Sequence, residues 1–423
     1  MHRVFMLLLL ASISLFAAPV DGGVARVPDL PSYDVELSGS ADGTTWSGRV
    51  TVAFTNTSDE PLPEIYLRLW GNVHDCKAVV VRIGESTGDC TVVKVPLAEP
   101  LAPGKRTSVA FDATMTAPNR LDRFGRSGTY SFFGNALPVL AVRDNTGWHL
   151  EPDVGIGESF YTVAADFRVR LTHTGNLVVP ATGVTTGVTT DGVTIAKQVR
   201  DFAWAAGPFT MSEATSPGGT KIRTWATSTV ALAAVVDART KAMTALDDFG
   251  RRFGAYPYGE FDLVLNDRWT KFSGMEYPGF VLLISPASPV VHEVAHQWWY
   301  GIIGNNEYAD PWLDEAFATY ATDLHEGNHR PACWPRSLPT AITSPMSYWQ
   351  AHQASYGAVV YTYGACMLHD LERLIGTPAM AGLLTTYAKA HWHGVSTPAD
   401  FKAAAQAASG TDLTSFWRSH AMG

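Results

Sequence analysis

The spacing of hydrophobic and polar residues divides the chain into two halves. From Tyr33 to about Met211, apolar and polar residues alternate over short runs such as Arg49–Phe54 and Asp166–Leu171, with Gly, Pro, Asn and Asp between the runs. An alternation with a period of two predicts β-strands joined by turns. This half, residues 26–211, is therefore predicted to be mostly antiparallel β-structure.

After Met211 the apolar residues recur with the period of helices. Thr229–Phe253 carries its apolar residues at helical spacing, and helices dominate from there to the end. Residues 212–423 are predicted to form an α+β unit, with its chemistry between a sheet edge and a pair of helices. The predicted elements nearest that chemistry are strands Phe261–Leu265 and Phe280–Ile284 and helices carrying His292–His296 and Glu315–His325.

Length and composition suit a globular protein of two domains. The chain has 423 residues, of which 46% are hydrophobic and 17% are charged. Its net charge of −9 gives no attraction for a phosphate backbone, so nucleic acid is not an expected partner.

The first residues have the pattern of a secretory signal. His2 and Arg3 precede the apolar run Val4–Phe16, which is too short to span a membrane. Cleavage after Gly22 or Ala25 would release a secreted protein, and we treat residues 1–25 as the signal. An uncleaved signal that keeps the chain at the cell envelope is the alternative.

Four cysteines in an exported chain fit two disulfides. Pairing within each half predicts Cys76–Cys90 and Cys333–Cys366. Free buried thiols are the alternative, above all for the second pair.

A metal-binding pattern lies in the second half. His292 and His296 flank Glu293 in an HExxH pattern, and Glu315 follows on the next predicted helix. If Pro289–Ile302 is a helix, both histidines lie on one face, because residues four apart share a face. Two imidazoles and one carboxylate would bind one zinc ion and leave a fourth position open. The alternative is a buried helix whose histidines only pack in the core.

The same pattern indicates hydrolysis. Zinc on His292, His296 and Glu315 would acidify its bound water and polarise a scissile carbonyl. Glu293 would take the proton from water as general base and pass it to the leaving amine.

Three motifs make the chain resemble the aminopeptidase N and leukotriene hydrolase type of gluzincin. They are Ser273–Tyr277, where the family has Gly-x-Met-Glu-Asn, His292–Trp299, and Trp312–Ala316. The resemblance runs from Tyr33 to the C-terminus. It implies an N-terminal antiparallel β-sandwich-like domain followed by a thermolysin-like zinc peptidase domain. It also implies a short form that stops at Gly423 without the helical C-terminal domain of longer relatives.

The resemblance also assigns substrate-binding residues. Glu276, with Gly274 and Met275 of the same motif, would bind the substrate and its free α-amine. A second amine-binding residue is expected in a Gln-x-Glu stretch, which His149–Pro152 matches best and which nominates Glu151. Tyr277 departs from the family's asparagine.

A tyrosine hydroxyl that stabilises the oxyanion is also implied. Tyr361 fits the family's Tyr-x-Lys-Gly pattern, in which Tyr363 stands at the lysine position, and Tyr356 is a nearby alternative.

The sequence therefore predicts a secreted zinc aminopeptidase that acts on peptide substrates and has no stable membrane span. Two alternatives stay open, namely a zinc endopeptidase or other small-substrate hydrolase on the same site, and an inactive binding module that retains the fold. The preferred N-terminal residue and the oligomeric state are not predicted.

Overall fold

The computed structural model describes residues 30–188, 191–269, 272–286, 289–333 and 342–422. The predicted signal, residues 1–25, lies outside these residues. Within the described ranges, no helix combines the length and the hydrophobicity needed to cross a membrane.

The first half folds into β-sheets, as its alternating pattern predicts. The strands are β1 (Ser32–Gly39), β2 (Thr45–Thr55), β3 (Leu62–Arg68), β4 (Val79–Arg82), β5 (Glu85–Ser86), β6 (Val92–Leu101), β7 (Arg106–Thr116), β8 (Phe124–Ser127), β9 (Tyr130–Phe133), β10 (Val139–Leu140), β11 (Arg143–Asp144), β12 (Gly147–Trp148), β13 (Ala165–Thr172), β14 (Val184–Val188), β15 (Asp191–Val199) and β16 (Trp204–Ala206). A short 3-10 helix, Trp70–Asn72, follows β3.

Two of these sheets share one core. The larger has the strand order β14-β15-β13-β1-β2-β7-β4, and the smaller has the order β10-β3-β6-β5. Val50 and Phe111 of the larger sheet and Ile65 and Val95 of the smaller one belong to the same buried cluster. The sheets therefore pack face to face, as predicted for a sandwich-like domain. The pairing is antiparallel except between β1 and β13, which run parallel.

The second half contains a five-stranded sheet covered by helices. Its strands are β17 (Thr210–Thr215), β18 (Lys221–Ala226), β19 (Glu260–Asn266), β20 (Gly274–Met275) and β21 (Phe280–Ile284), in the order β17-β18-β19-β21-β20. The helices are α1 (Leu232–Phe253), α2 (Val290–Ala295), α3 (Trp312–Glu326), α4 (Met346–Ala351), α5 (Gln353–Tyr356), α6 (Gly364–Ile375), α7 (Thr377–Ala390), α8 (Pro398–Ser409) and α9 (Thr414–Ser419). Gly357–Tyr363, between α5 and α6, is a π-helical turn. The predicted boundary after Met211 falls inside β17, whose partner β18 belongs to this sheet.

The zinc-motif helix is shorter than predicted. A helix was expected over Pro289–Ile302, but α2 ends at Ala295 and the chain continues in turns. Tyr300 has a positive φ of 146°, which a continuing helix does not allow. The first half holds it there, because Arg200 Nε donates to the Tyr300 carbonyl at 2.7 Å and the Tyr300 hydroxyl donates to Asp201. These contacts between the two halves override the local helical pattern.

A buried cluster joins the two halves beside this helix. Phe132 and Ala205 from the first half pack with Trp269, Met275 and Tyr277 from the second. Both predicted disulfides, Cys76–Cys90 and Cys333–Cys366, are present. The α+β class is thus confirmed, and the sheet edge that carries β20 lies against the first half.

Candidate metal centre and active site

The three predicted zinc ligands converge. The Nε2 atoms of His292 and His296 lie 2.9 Å apart, and Glu315 Oε2 lies 3.1 and 3.3 Å from them. Tetrahedral zinc with bonds of about 2.0–2.1 Å places neighbouring ligand atoms about 3.3 Å apart. The donor set and its spacing therefore fit one zinc ion.

His296 is oriented by a residue that the sequence prediction did not name. Its Nδ1 lies 2.5 Å from Asp314 Oδ1 and 3.1 Å from the Trp299 carbonyl oxygen. A partner at Nδ1 leaves Nε2 free to bind a metal, as is usual for histidine ligands. Asp314 directly precedes Glu315 on α3, so this partner of His296 could have been identified from the Trp312–Ala316 motif.

Glu293 is buried and faces the edge strand. An added Cβ at Gly274 would lie 2.0 Å from Glu293 Oε1, so glycine alone leaves room for this carboxylate. Its Oε2 has no hydrogen-bond partner among the described residues. Burial, together with the charge of Glu276, raises the pKa of Glu293 well above its ordinary value. A cation bound beside this carboxylate would favour its ionised form, which is the form that accepts a proton.

Glu276 belongs to the same cluster. Glu276, Glu293 and His296 each place a ligand-type atom within 4.8 Å of the others. Burial raises the pKa of Glu276 to about 8, and the charge of Glu158 adds to this rise. Glu276 Oε1 has no hydrogen-bond partner among the residues described.

Glu158, from the first half, lies near enough for its charge to raise the pKa of both Glu276 and Glu293. Its Oε1 accepts a hydrogen bond from Arg123 Nη2 at 3.0 Å. Burial raises the pKa of Glu158 to about 7 against the opposing charge of Arg123. Carboxylates that burial and mutual repulsion push toward neutrality favour the binding of cations, which restore their charged forms. The cluster therefore suits both a metal ion and a substrate ammonium.

Glu151, the residue nominated from the sequence, is not brought to the cluster. Its carboxylate lies 3.0 Å from His149 Nδ1, beside the short strand β12, and its backbone carbonyl accepts from Arg68 at 2.8 Å. The chain turns between the two glutamates through Gly155 and Gly157, which have φ values of 72° and 54°. Beyond this turn lies Glu158, which the sequence prediction did not name and whose charge acts on Glu276.

Tyr361 faces the metal ligands, as predicted. Its hydroxyl donates to Glu315 Oε1, and its ring stacks near His292 with centroids 5.9 Å apart. Tyr363 is buried near His420, with ring centroids 6.3 Å apart, and Tyr356 packs edge-on against Tyr361. Tyr361 is thus the tyrosine of this segment that contacts Glu315.

Gly274 and Met275, also nominated for substrate binding, form the edge strand β20. β20 pairs with β21 on one side and ends the described order of the sheet. The Met275 side chain is buried in the cluster between the halves, so its side chain is not available to contact a substrate. An extended peptide could instead pair with the backbone of such an edge.

Comparison with known proteins gives partial matches in sequence. No family model matches the chain. Aminopeptidase N of Streptomyces lividans is 26% identical over 147 residues, which cover 30% of this chain and 17% of that protein. Aminopeptidase M1-C of Oryza sativa subsp. japonica is 25% identical over 198 residues, which cover 41% of this chain and 22% of that protein. The matches therefore span about a fifth of these relatives' own length.

The fold matches solved structures over almost the whole chain. The M1 zinc metallopeptidase of Deinococcus radiodurans has a TM-score of 0.67 at 19% identity, with 93% of both chains covered. A mutant of that peptidase bound to a Tyr-Ser-Ala substrate has a TM-score of 0.66 at 18% identity, covering 93% of this chain and 94% of that one. Together with the sequence matches, these structures confirm the predicted relationship to the aminopeptidase N gluzincins.

Proposed function

We propose that this relative of the aminopeptidase N gluzincins is a zinc aminopeptidase that hydrolyses N-terminal residues from peptides. The observation that supports the proposal most is one buried cluster that combines three converging metal ligands with Glu293 and Glu276. The proposal includes export, on the pattern of residues 1–25. The two disulfides support an oxidising compartment.

We assign one group to each step of the proposed reaction. When bound to His292, His296 and Glu315, zinc would supply Lewis-acid chemistry at a substrate carbonyl. Glu293 takes a proton from the attacking water and delivers it to the leaving nitrogen. The Tyr361 hydroxyl donates to the carbonyl oxygen as negative charge develops there. Glu276 holds the substrate α-ammonium and so selects the first peptide bond.

The proposal predicts that the enzyme requires a free N-terminus. Removing one partner of a partly buried charge pair costs roughly 2–5 kcal/mol, so N-acetylation should lower kcat/KM by at least about 30-fold. Aminoacyl fluorogenic substrates would be compared with their N-acetylated forms, with and without a chelator. Glu276→Ala should remove most of the preference, and the chelator should stop both reactions until zinc is restored.

Other outcomes of this comparison would favour the rival functions. Equal cleavage of free and acetylated substrates would indicate an endopeptidase or another hydrolase on the same zinc site. Stoichiometric zinc without cleavage of any substrate in the panel would indicate a binding module that retains the fold.

A second prediction distinguishes Glu158 from Glu151 as the residue of the first half that binds the substrate amine. Glu158→Gln should raise KM for free-amine substrates roughly tenfold, because one of the negative charges proposed to attract the substrate ammonium is lost. The glutamine side-chain oxygen still accepts the hydrogen bond from Arg123. Glu151→Gln is the matched control and should change KM less than about twofold, since the Glu151 side chain is 34% exposed in its pair with His149. Steady-state kinetics on one aminoacyl substrate would measure both variants. The reverse order of effects would show that Glu151 holds the amine.

A further inference from the structure

The Tyr277 side chain lies in the interface between the two halves. It stands where the aminopeptidase motif has asparagine, directly after Glu276, and its side chain is 0% exposed. It packs in the cluster between the halves with Phe132, Ala205 and Trp269. A side chain enclosed in this way does not contact a substrate. It acts through its contacts in the interface between the halves.

The first half is shaped to receive this tyrosine. The Tyr277 hydroxyl donates to Asn135 Oδ1 at 2.6 Å, and Asn135 adopts a positive φ of 52°. At Gly134 an added Cβ would lie 2.1 Å from the Tyr277 hydroxyl oxygen and 2.6 Å from its Cζ. The Gly134 amide in turn donates to the Arg123 carbonyl at 2.9 Å. The tyrosine therefore packs at the open end of the β8–β9 hairpin, where Gly134 is hydrogen-bonded to Arg123 and the Arg123 side chain binds Glu158.

The zinc-motif segment holds the same turn from the other side. The Gln297 Oε1 atom accepts from the Gly279 amide at 2.7 Å, and its Nε2 lies 3.4 Å from the carbonyl oxygens of Glu276 and Tyr277. The backbone of residues 276–279 is thus fixed between Gln297 in the second half and Asn135 in the first. Glu276 stands at the start of this turn.

We propose that Tyr277 is a positioning residue, which through Asn135 and the space left at Gly134 sets Glu276 of one half against Glu158 of the other. The proposal rests on the proposed aminopeptidase function. The two carboxylates proposed to bind the substrate ammonium, Glu276 and Glu158, then come from opposite sides of the interface between the halves. The tyrosine that replaces the family's asparagine fits there because Gly134 leaves space for its ring and Asn135 accepts its hydrogen bond. Tyr277 acts through Glu276 and does not touch the substrate.

The first test removes only the hydroxyl. Tyr277→Phe should lower the ratio of kcat/KM for free over N-acetylated substrates roughly tenfold, because Asn135 loses its donor and the Glu276 turn loses one anchor. The change should appear in KM for the free-amine substrate, with kcat altered less than about twofold. Asn135→Ala should have a similar effect, and the double variant should be no worse than either single one.

The second test uses the space at Gly134. Gly134→Ala should reduce the free-amine preference strongly in the natural background, since its methyl group collides with the tyrosine. In a Tyr277→Asn background the same substitution should change the preference less than about twofold, because the shorter side chain leaves room. Thermal unfolding of each variant would verify that the protein remains folded.

Two results would overturn the positioning role while leaving the proposed function intact. One is an unchanged preference in both Tyr277→Phe and Asn135→Ala, and the other is an equal penalty of Gly134→Ala in both backgrounds. If the natural enzyme itself shows no preference for a free amine, the proposed function fails and the positioning role fails with it.

Discussion

Replacing Glu293 with glutamine is expected to lower kcat by about 10³-fold or more while zinc stays bound. Glutamine has nearly the same shape, so it fits against Gly274, but it accepts no proton from water. The buried carboxylate is also costly to charge, so its neutral substitute should not destabilise the fold. Steady-state kinetics and metal analysis of the purified variant would measure the two effects.

His292→Ala provides the contrast. It should lose both zinc and activity, because two protein ligands remain where three converged. Near-normal turnover by Glu293→Gln would remove Glu293 from the mechanism. Loss of zinc from that variant would instead mean that Glu293 helps to hold the metal.

The second large effect is expected at Tyr361. Tyr361→Phe should lower kcat on the order of 10²-fold with KM nearly unchanged, as for the loss of one oxyanion donor. Its hydroxyl already contacts a metal ligand, Glu315, and so lies at the edge of the reaction centre. Rates over a range of substrate concentrations would separate kcat from KM.

Tyr363→Phe is the matched control on the same turn. Because Tyr363 packs near His420, the variant should keep kcat within about threefold of the natural enzyme. A large loss in Tyr363→Phe with little change in Tyr361→Phe would assign the oxyanion contact to the other tyrosine.

The convergence of the three candidate metal ligands could be predicted because their positions depend on local spacing. His292 and His296 are four residues apart, and His296, the residue that follows α2, keeps helical backbone angles, so both histidines lie on one face. Glu315 and Asp314 follow on α3, whose own apolar residues are buried. The β-sheets of the first half were predictable for a similar reason, since strand periodicity is a local property.

Features that depend on contacts between the halves were not predictable in the same way. The non-helical conformation at Tyr300 is held by Arg200 and Asp201, which lie far from Tyr300 in the sequence. The burial of Glu158 beside Arg123 likewise depends on contacts between separate elements of the first half. Hydrophobic periodicity carries no information about such pairings, because they join side chains from separate elements.

Because Gly357–Tyr363 is a π-helical turn, the direction of the Tyr361 side chain depends on the number of residues in this segment. Each residue of an α-helix advances the side chain by about 100°, whereas a π-turn accommodates one extra residue locally. A single deletion between α5 and Tyr361 would let the turn relax to an α-helix and rotate the phenol out of reach of Glu315. The contact between Tyr361 and Glu315 therefore constrains the number of residues in this segment as well as their identity.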